Sequence, residues 1–483
     1  MNTRHKVLLY GLVLGSLVIA KGVPQLNVLF CSMVAVFIII RQRLDLLPLL
    51  ILTNIPISSF FFGKGAEYGT FEYTVEVYQT AYINIAGLPI SAGLVTVVTM
   101  AFVCYANFMN APQRFYPGAL KVMFILWNIG ALFALLIAIN GILNHHQAWS
   151  GPLRAYLSTI GIFYGYAVAS KSPHLKAPLF IDFLLFFLCV GLISVAGVFH
   201  HRVLFLAAGF VPGLALIALY RRAPLSKLLG IANLIVWAVY ALFGFSFRGE
   251  TTLTLIGLFI VSMLLGLLTL LRSPKLLRSA GKLLAYPAIF AIAAYMAFAI
   301  YGSKKFTIAQ YAHTGAELSF VERVKYKVFD DRASLWRFVW DDIMRDSKIL
   351  PIPGEDLMTV HPKRGVMYVR HGAHNSYLQA LRENGFISGG IIVFLMLFTL
   401  VRSARAYGAS SRGITGALAI GSIVTLTVGA VTGHYVIGQT IGAFIFILGG
   451  MAMAGEAGDF GIESQPRTQA GFRRPALGLH RPI

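Results

Sequence analysis

The segment Ala373-His-Asn-Ser-Tyr-Leu-Gln-Ala-Leu-Arg-Glu-Asn-Gly385 closes a long hydrophilic stretch in a chain that is otherwise apolar almost from end to end. Over the whole chain 57% of residues are hydrophobic, 12% are charged and the mean hydropathy is +0.73. A soluble globular domain carries roughly twice that share of charge, so the composition excludes one. Apolar runs long enough to cross a bilayer, about 17 to 25 residues each, recur along the chain. The expected fold is therefore an all-α polytopic membrane protein with one large polar insert, where water, a polar ligand and ionisable side chains can meet.

Around the insert the apolar runs predict about fourteen transmembrane helices. They fall at 7–22, 26–40, 44–62, 88–109, 118–139, 155–170, 177–197, 203–220, 228–245, 252–271, 283–301, 387–401, 413–433 and 434–454. The chain thus divides into transmembrane helices over 1–301, a large loop over 302–386, further transmembrane helices over 387–454, and a tail over 455–483 that reads as disordered. The first run follows Arg4, His5 and Lys6, but no small-residue cleavage site leads into a soluble domain, so it is kept as a helix. Short connections carrying Arg41/Arg43, Arg114, Lys171/Lys176, Arg221/Arg222, Arg272/Lys275 and Arg402/Arg405 fall on one side of the membrane. By the positive-inside rule that side is the cytoplasm and holds both termini, while the net charge of +21 suits anionic lipid head groups. The opposite side carries the large loop and three isolated arginines at span ends, Arg154, Arg202 and Arg248. Cys31, Cys104 and Cys189 lie inside apolar runs, so neither a disulfide framework nor a metal cluster is expected.

Two helices are legible in the large loop. Asp330 or Asp331 caps the first, which runs to about Arg345 with Leu335, Phe338, Val339 and Ile343 on one face; Pro351 and Pro353 follow it with an extended turn. The two aspartates read better as a cap than as metal ligands, since no further carboxylates stand at ligand spacing. The second helix starts after His374, carries Leu378 and Leu381 on one face and ends at Gly385, a C′ glycine. An imidazole at a helix N-terminus is held neutral by the amides and the dipole, and so is able to accept a proton.

Arg154, Arg202, Arg248, Arg332 and His374 are the outward-facing ionisable groups of interest. The planar guanidinium fork suits phosphate oxygens, so arginines converging from separate spans would form an anion site at bilayer depth, matched to a lipid pyrophosphate. Such a leaving group needs charge stabilisation and no general acid; a neutral histidine near pH 7 then suffices to deprotonate an incoming hydroxyl. Each arginine also has a structural reading as a snorkelling anchor, and His374 has one as a plain helix cap. Asp182, inside a span near its cytoplasmic end, reads as a paired structural charge.

Arg332-Ala-Ser-Leu-Trp336, the Pro351-to-Gly354 turn and the His374-Asn375 motif leading to Gly385 together resemble the O-antigen ligase and polymerase superfamily of bacterial envelopes. The resemblance implies a helical, C-type glycosyltransferase that is inverting, metal-independent and free of cofactors. It implies a donor glycan on undecaprenyl diphosphate, and an acceptor that is a lipid A core sugar or a second lipid-linked repeat. The site would open on the periplasmic side of the inner membrane, with a chain-length regulator as a partner and no role for nucleic acid. His374 takes the place of the catalytic histidine and Arg332 that of the loop arginine, with Asn375 and Trp336 in support; Arg202, Arg248 and Arg154 are similar to the diphosphate-binding arginines. Several departures accompany the match: His201 stands where the family has a serine, Arg154 lacks the Pro-Asn that usually follows, and Pro351-Ile-Pro-Gly354 replaces a Gly-x-Gly. Ligase, polymerase and protein glycosylase all remain open, as do the sugar and the oligomeric state; a span count above that of most ligases leans toward a polymerase. The rival expectation is a lipid or glycan transporter, for which His374 would be dispensable.

Overall fold

The computed structural model describes residues 6–13, 25–41, 46, 50, 82–85, 88–109, 118–144, 149–171, 176–195, 202–220, 223–243, 261–262, 264–265, 267, 331–346, 349–351, 358–361, 365–368, 375–409, 413–432 and 440–462. Its first half contains helices α1 (6–13), α2 (Gln25–Arg41), α3 (Ala92–Met109), α4 (Gly118–Leu143), α5 (Ser150–Ser158), α6 (Gly161–Lys171), α7 (Lys176–Val195), α8 (Arg202–Tyr220) and α9 (Pro224–Phe243). In the second half are α10 (Asp331–Asp346), α11 (Ser376–Asn384), α12 (Gly390–Ala409), α13 (Gly413–Val424) and α14 (Thr440–Ile462). A wide π turn joins α11 to α12 at Gly385–Gly389, and another follows α13 at Thr425–Gly429.

The helical expectation holds, with two small additions. Antiparallel hairpins pair β1 (Tyr82–Ile85) with β2 (Leu88–Ser91), and β3 (Met358–His361) with β4 (Gly365–Tyr368). The first corrects the span read at 88–109, because its helix starts only at Ala92. Ile83 and Ile90 pair across this hairpin, and Pro89, which cannot donate to a ladder, is tolerated in a two-stranded ribbon. A second correction concerns 155–170, read as one span. The chain turns at Thr159 and Ile160, where Ser158 Oγ and Thr159 Oγ1 donate to the carbonyls of Ala155 and Tyr156. Hydroxyls that bond back to the preceding turn compete with helix continuation. At the C-terminal end α14 continues to Ile462, past the boundary at 454 where disorder was expected to begin. The spans read at 44–62 and 283–301 lie outside the described residues but for Leu46 and Leu50.

Among the described residues, two helical stretches are long and apolar enough to cross a bilayer, Gly118–Leu143 with a hydropathy of 2.5 and Ser376–Tyr407 with 2.1. Others, among them Phe180–Leu192 and Gly209–Leu219, are apolar but shorter. Helix α4 buries Phe124, Trp127, Ala134 and Ile137 and turns Val122, Ile125, Ile129, Leu132 and Leu136 outward, a division into two apolar faces that lipid accepts and water does not.

The tightest contact is between α6 and α14. A Cβ added to Gly165 would lie 1.9 Å from the Ile447 carbonyl oxygen, and one on Gly450 would lie 2.1 Å from that of Ile162. Gly161, one turn earlier, faces the Ala443 carbonyl in the same way. Small residues at i and i+4 let two backbones touch, which is how helices associate where lipid removes the hydrophobic incentive. Further along the same core Phe183, Phe186 and Phe187 of α7 pack around Phe444, with the Phe186 and Phe444 ring centroids 4.3 Å apart. Lys6 of α1 forms a buried ion pair with Asp182 of α7, the paired role expected for that aspartate.

Gly165→Ala should therefore lower the stability of the detergent-purified protein by about 1–3 kcal/mol, read as a fall in melting temperature, whereas Gly118→Ala, with open space at its Cβ, should not lower it. Lys6→Met should cost about 3–5 kcal/mol because it strands a buried carboxylate, and adding Asp182→Leu should recover most of that loss.

Candidate functional site

The site is built around α11. Asn375 is its N-cap: the residue is extended, with φ −150° and ψ 118°, and its Oδ1 accepts from the backbone N–H groups of Tyr377 at 2.9 Å and Leu378 at 3.2 Å. Asn375 thus satisfies two of the four amides that a helix start leaves unpaired. His374, the residue before this cap, lies outside the described residues. At the other end Gly385 has φ 68°, a conformation that favours glycine, which confirms the stop expected there. Instead of breaking, the chain then widens into the π turn, and Gly389 lets it pass so close to α11 that a Cβ would lie 2.4 Å from the Ala380 carbonyl oxygen. Tyr377 Oη donates to the Leu426 carbonyl at 2.7 Å, fastening the start of α11 to the second π turn.

The loop helix α10 packs on α11 through Val339 and Ile343, both buried, against Leu378, Leu381 and Phe386. Each of these two side chains contributes roughly 1.5–3 kcal/mol when fully removed from water. Val339 and Ile343 thus take the inner positions expected of them, while the side chains of Leu335 and Phe338 lie outside the described residues; the packing brings the helix that carries Arg332 and Trp336 against the helix that follows His374. Trp336 Nε1 is buried and makes no hydrogen bond; Trp340 and Met344, one and two turns later, are exposed.

Arg154 reaches the site from α5. Tyr156 Oη donates to the Trp127 carbonyl at 2.8 Å, and Trp127 Nε1 donates to Thr159 Oγ1 at 3.0 Å, so α5 is tied to α4 at two points. Gly130 makes room for the Tyr156 ring, since a Cβ there would fall 2.1 Å from its hydroxyl. Held in this way, α5 packs against α11. Arg154 Nε is buried without a hydrogen bond, on the helix that packs against α11. On α11 Glu383 accepts a hydrogen bond from Gln379, one helical turn earlier. Asn384 and Ser388, both fully buried at the π turn, have side-chain polar atoms with no hydrogen-bond partner.

No protein-family model matches this chain, and no curated protein does.

Of the residues singled out in the sequence, the structure brings Asn375, Arg154 and the helix of Arg332 and Trp336 to α11. Arg202 is the first residue of α8, and its side chain, like that of Arg332, is outside what is described; Arg248 and His374 are outside it altogether. Sequence reasoning missed Glu383 and Gln379. Their signal was present in the four-residue spacing Asn375, Gln379, Glu383, which puts three polar side chains on one side of a helix whose other side is apolar.

Asn375→Ala should destabilise α11 by about 1 kcal/mol, seen as faster amide hydrogen exchange over 376–379, while Asn375→Asp should retain most of the protection.

Proposed function

We propose that this chain is a membrane glycosyltransferase that moves a glycan from undecaprenyl diphosphate onto an acceptor sugar hydroxyl, as an O-antigen, capsule or exopolysaccharide polymerase or an O-antigen ligase. The observation that carries this reading is the packing of α10 on α11, which joins the Arg332–Trp336 segment to the capped helix that His374 precedes. In the proposed reaction the acceptor oxygen attacks the anomeric carbon from the face opposite the leaving group. A new C–O bond forms, the bond to the diphosphate breaks, and the acceptor proton passes to the His374 imidazole. Arg202, Arg248 and Arg154, with the loop arginine Arg332, stabilise the departing diphosphate, whose charge makes a general acid unnecessary. About fourteen spans, cytoplasmic termini and a site on the periplasmic face of a bacterial inner membrane complete the proposal. Its partners are the lipid-linked donor, a lipid A core sugar or second lipid-linked repeat as acceptor, and a chain-length regulator.

The test is transfer by the purified protein in nanodiscs, supplied with lipid-linked glycan and acceptor, following released undecaprenyl diphosphate and product size. His374→Ala should slow release by about 100- to 10,000-fold, the span typical of a lost general base, and chelator should leave the wild-type rate unchanged. A ladder of longer glycans would assign a polymerase and a single shifted acceptor a ligase. Lipid movement between leaflets without release would overturn the proposal in favour of a transporter.

A further inference from the structure

We propose that α10 is a membrane-surface helix: beside the face packed on α11 it carries a second apolar row, centred on Trp340 and extended by Ile349 and Leu350, that is seated in the head-group region of the leaflet nearest α11. The inference stands on packing and exposure; it does not need the transferase reading, and its test measures no transfer.

Three observations carry it. First, the apolar surface of α10 is wider than the part its neighbours cover. Val339 and Ile343 are buried against Leu378, Leu381 and Phe386. Next to them around the helix stand Trp336, half-buried, and Trp340, 45% exposed, with Met344, also exposed, one turn further on. Arg337 and Asp341, a further step round, are exposed charges. An apolar row bordered by charge in this way is the division found in helices that lie in the plane of a membrane interface. Second, the chain leaving α10 adds to the exposed apolar surface: Ile349 and Leu350 are 51% and 43% exposed, while Pro351 after them is buried.

Third, the packing sets the depth. Phe386, which α10 touches, stands where the polar helix α11 gives way to an apolar run that continues to Val401, just before Arg402. A helix rises about 24 Å between Phe386 and Arg402, most of the roughly 30 Å of a hydrocarbon core. Contact with Phe386 therefore puts α10 at the boundary between head groups and acyl chains, the level that the amphipathic ring of tryptophan prefers. Arg337, beside Trp340, is then at the height of the lipid phosphates. From that level Phe394, Leu397 and Val401 carry an exposed apolar surface along α12 into the core. Continuity with this membrane-spanning surface selects a phospholipid bilayer, rather than a second protein, as what covers the Trp340 row.

The test uses the full-length protein in nanodiscs of phosphatidylethanolamine and phosphatidylglycerol, with a nitroxide label placed in turn through Trp340→Cys, Ile349→Cys, Arg337→Cys and Asp341→Cys. Cys31, Cys104 and Cys189 are buried, and unsubstituted protein treated alike gives the background. Labels at 340 and 349 should be reached more by oxygen, which concentrates in lipid, than by a water-soluble nickel chelate; labels at 337 and 341 should show the reverse order. A second readout needs no label: brominated phospholipid should remove the emission that the wild type has in excess of Trp340→Phe. A label at 340 that the nickel chelate reaches as readily as one at 341, or Trp340 emission that survives bromine, would overturn the proposal. Labels at 340 and 349 that neither reagent reaches would overturn it too, because protein then covers the row.

Discussion

The contact on which the described core depends is the backbone-to-backbone approach of α6 and α14 at Gly161, Gly165 and Gly450. In lipid an apolar side chain gains little by leaving one apolar neighbour for another, so helices hold together where their backbones fit closely enough for many dispersion contacts. Here the fit leaves no room for a single methyl group on either helix. Helices α3, α12 and α13 pack around this pair, and α5, directly before α6, inherits its placement.

That placement matters for the site. Helix α5 is short and would have little reason to hold its position by itself, since isolated helices of its length are marginal. It is clamped by Tyr156 and Trp127 to α4 and continues through one turn into the glycine contact. It therefore delivers a charged residue to the interior beside α11. The site helix is met by α10 on one side, by α5 on another and by the second π turn near its start. Two of these attachments differ in kind: α10 is held by apolar burial and the second π turn by a single hydrogen bond.

Both π turns occur where α11 and its neighbours meet, and Asn384, Ser388 and Thr425 lie fully buried in or beside them. A π turn adds a residue to the helical circuit and shifts every later side chain around the axis. Between α11 and α12 it lets one long helical stretch carry a polar first part and a mainly apolar second part with different faces turned inward.

Much of this was legible in the chain itself. The cap at Asn375, the stop at Gly385, the inner face of α10 at Val339 and Ile343, and the structural pairing of Asp182 follow from local rules: which side chain reaches its own backbone, which residue tolerates positive φ, which positions share a helical face, and what a charge inside an apolar run requires. The hairpin at Tyr82–Ser91 and the turn at Thr159 were hidden because apolar content alone does not separate a strand or a broken helix from a span. Partner choice was out of reach for a different reason. That Asp182 takes Lys6, that Gly165 meets Ile447, and that Tyr377 reaches the Leu426 carbonyl are contacts between residues far apart in sequence, and no local spacing encodes them. The sequence by itself determined the helices, their caps and the chemical character of the insert, because these depend on neighbours within a turn or two. Only the tertiary structure decided which charge faces which, because that depends on how whole helices rotate when their backbones close on one another.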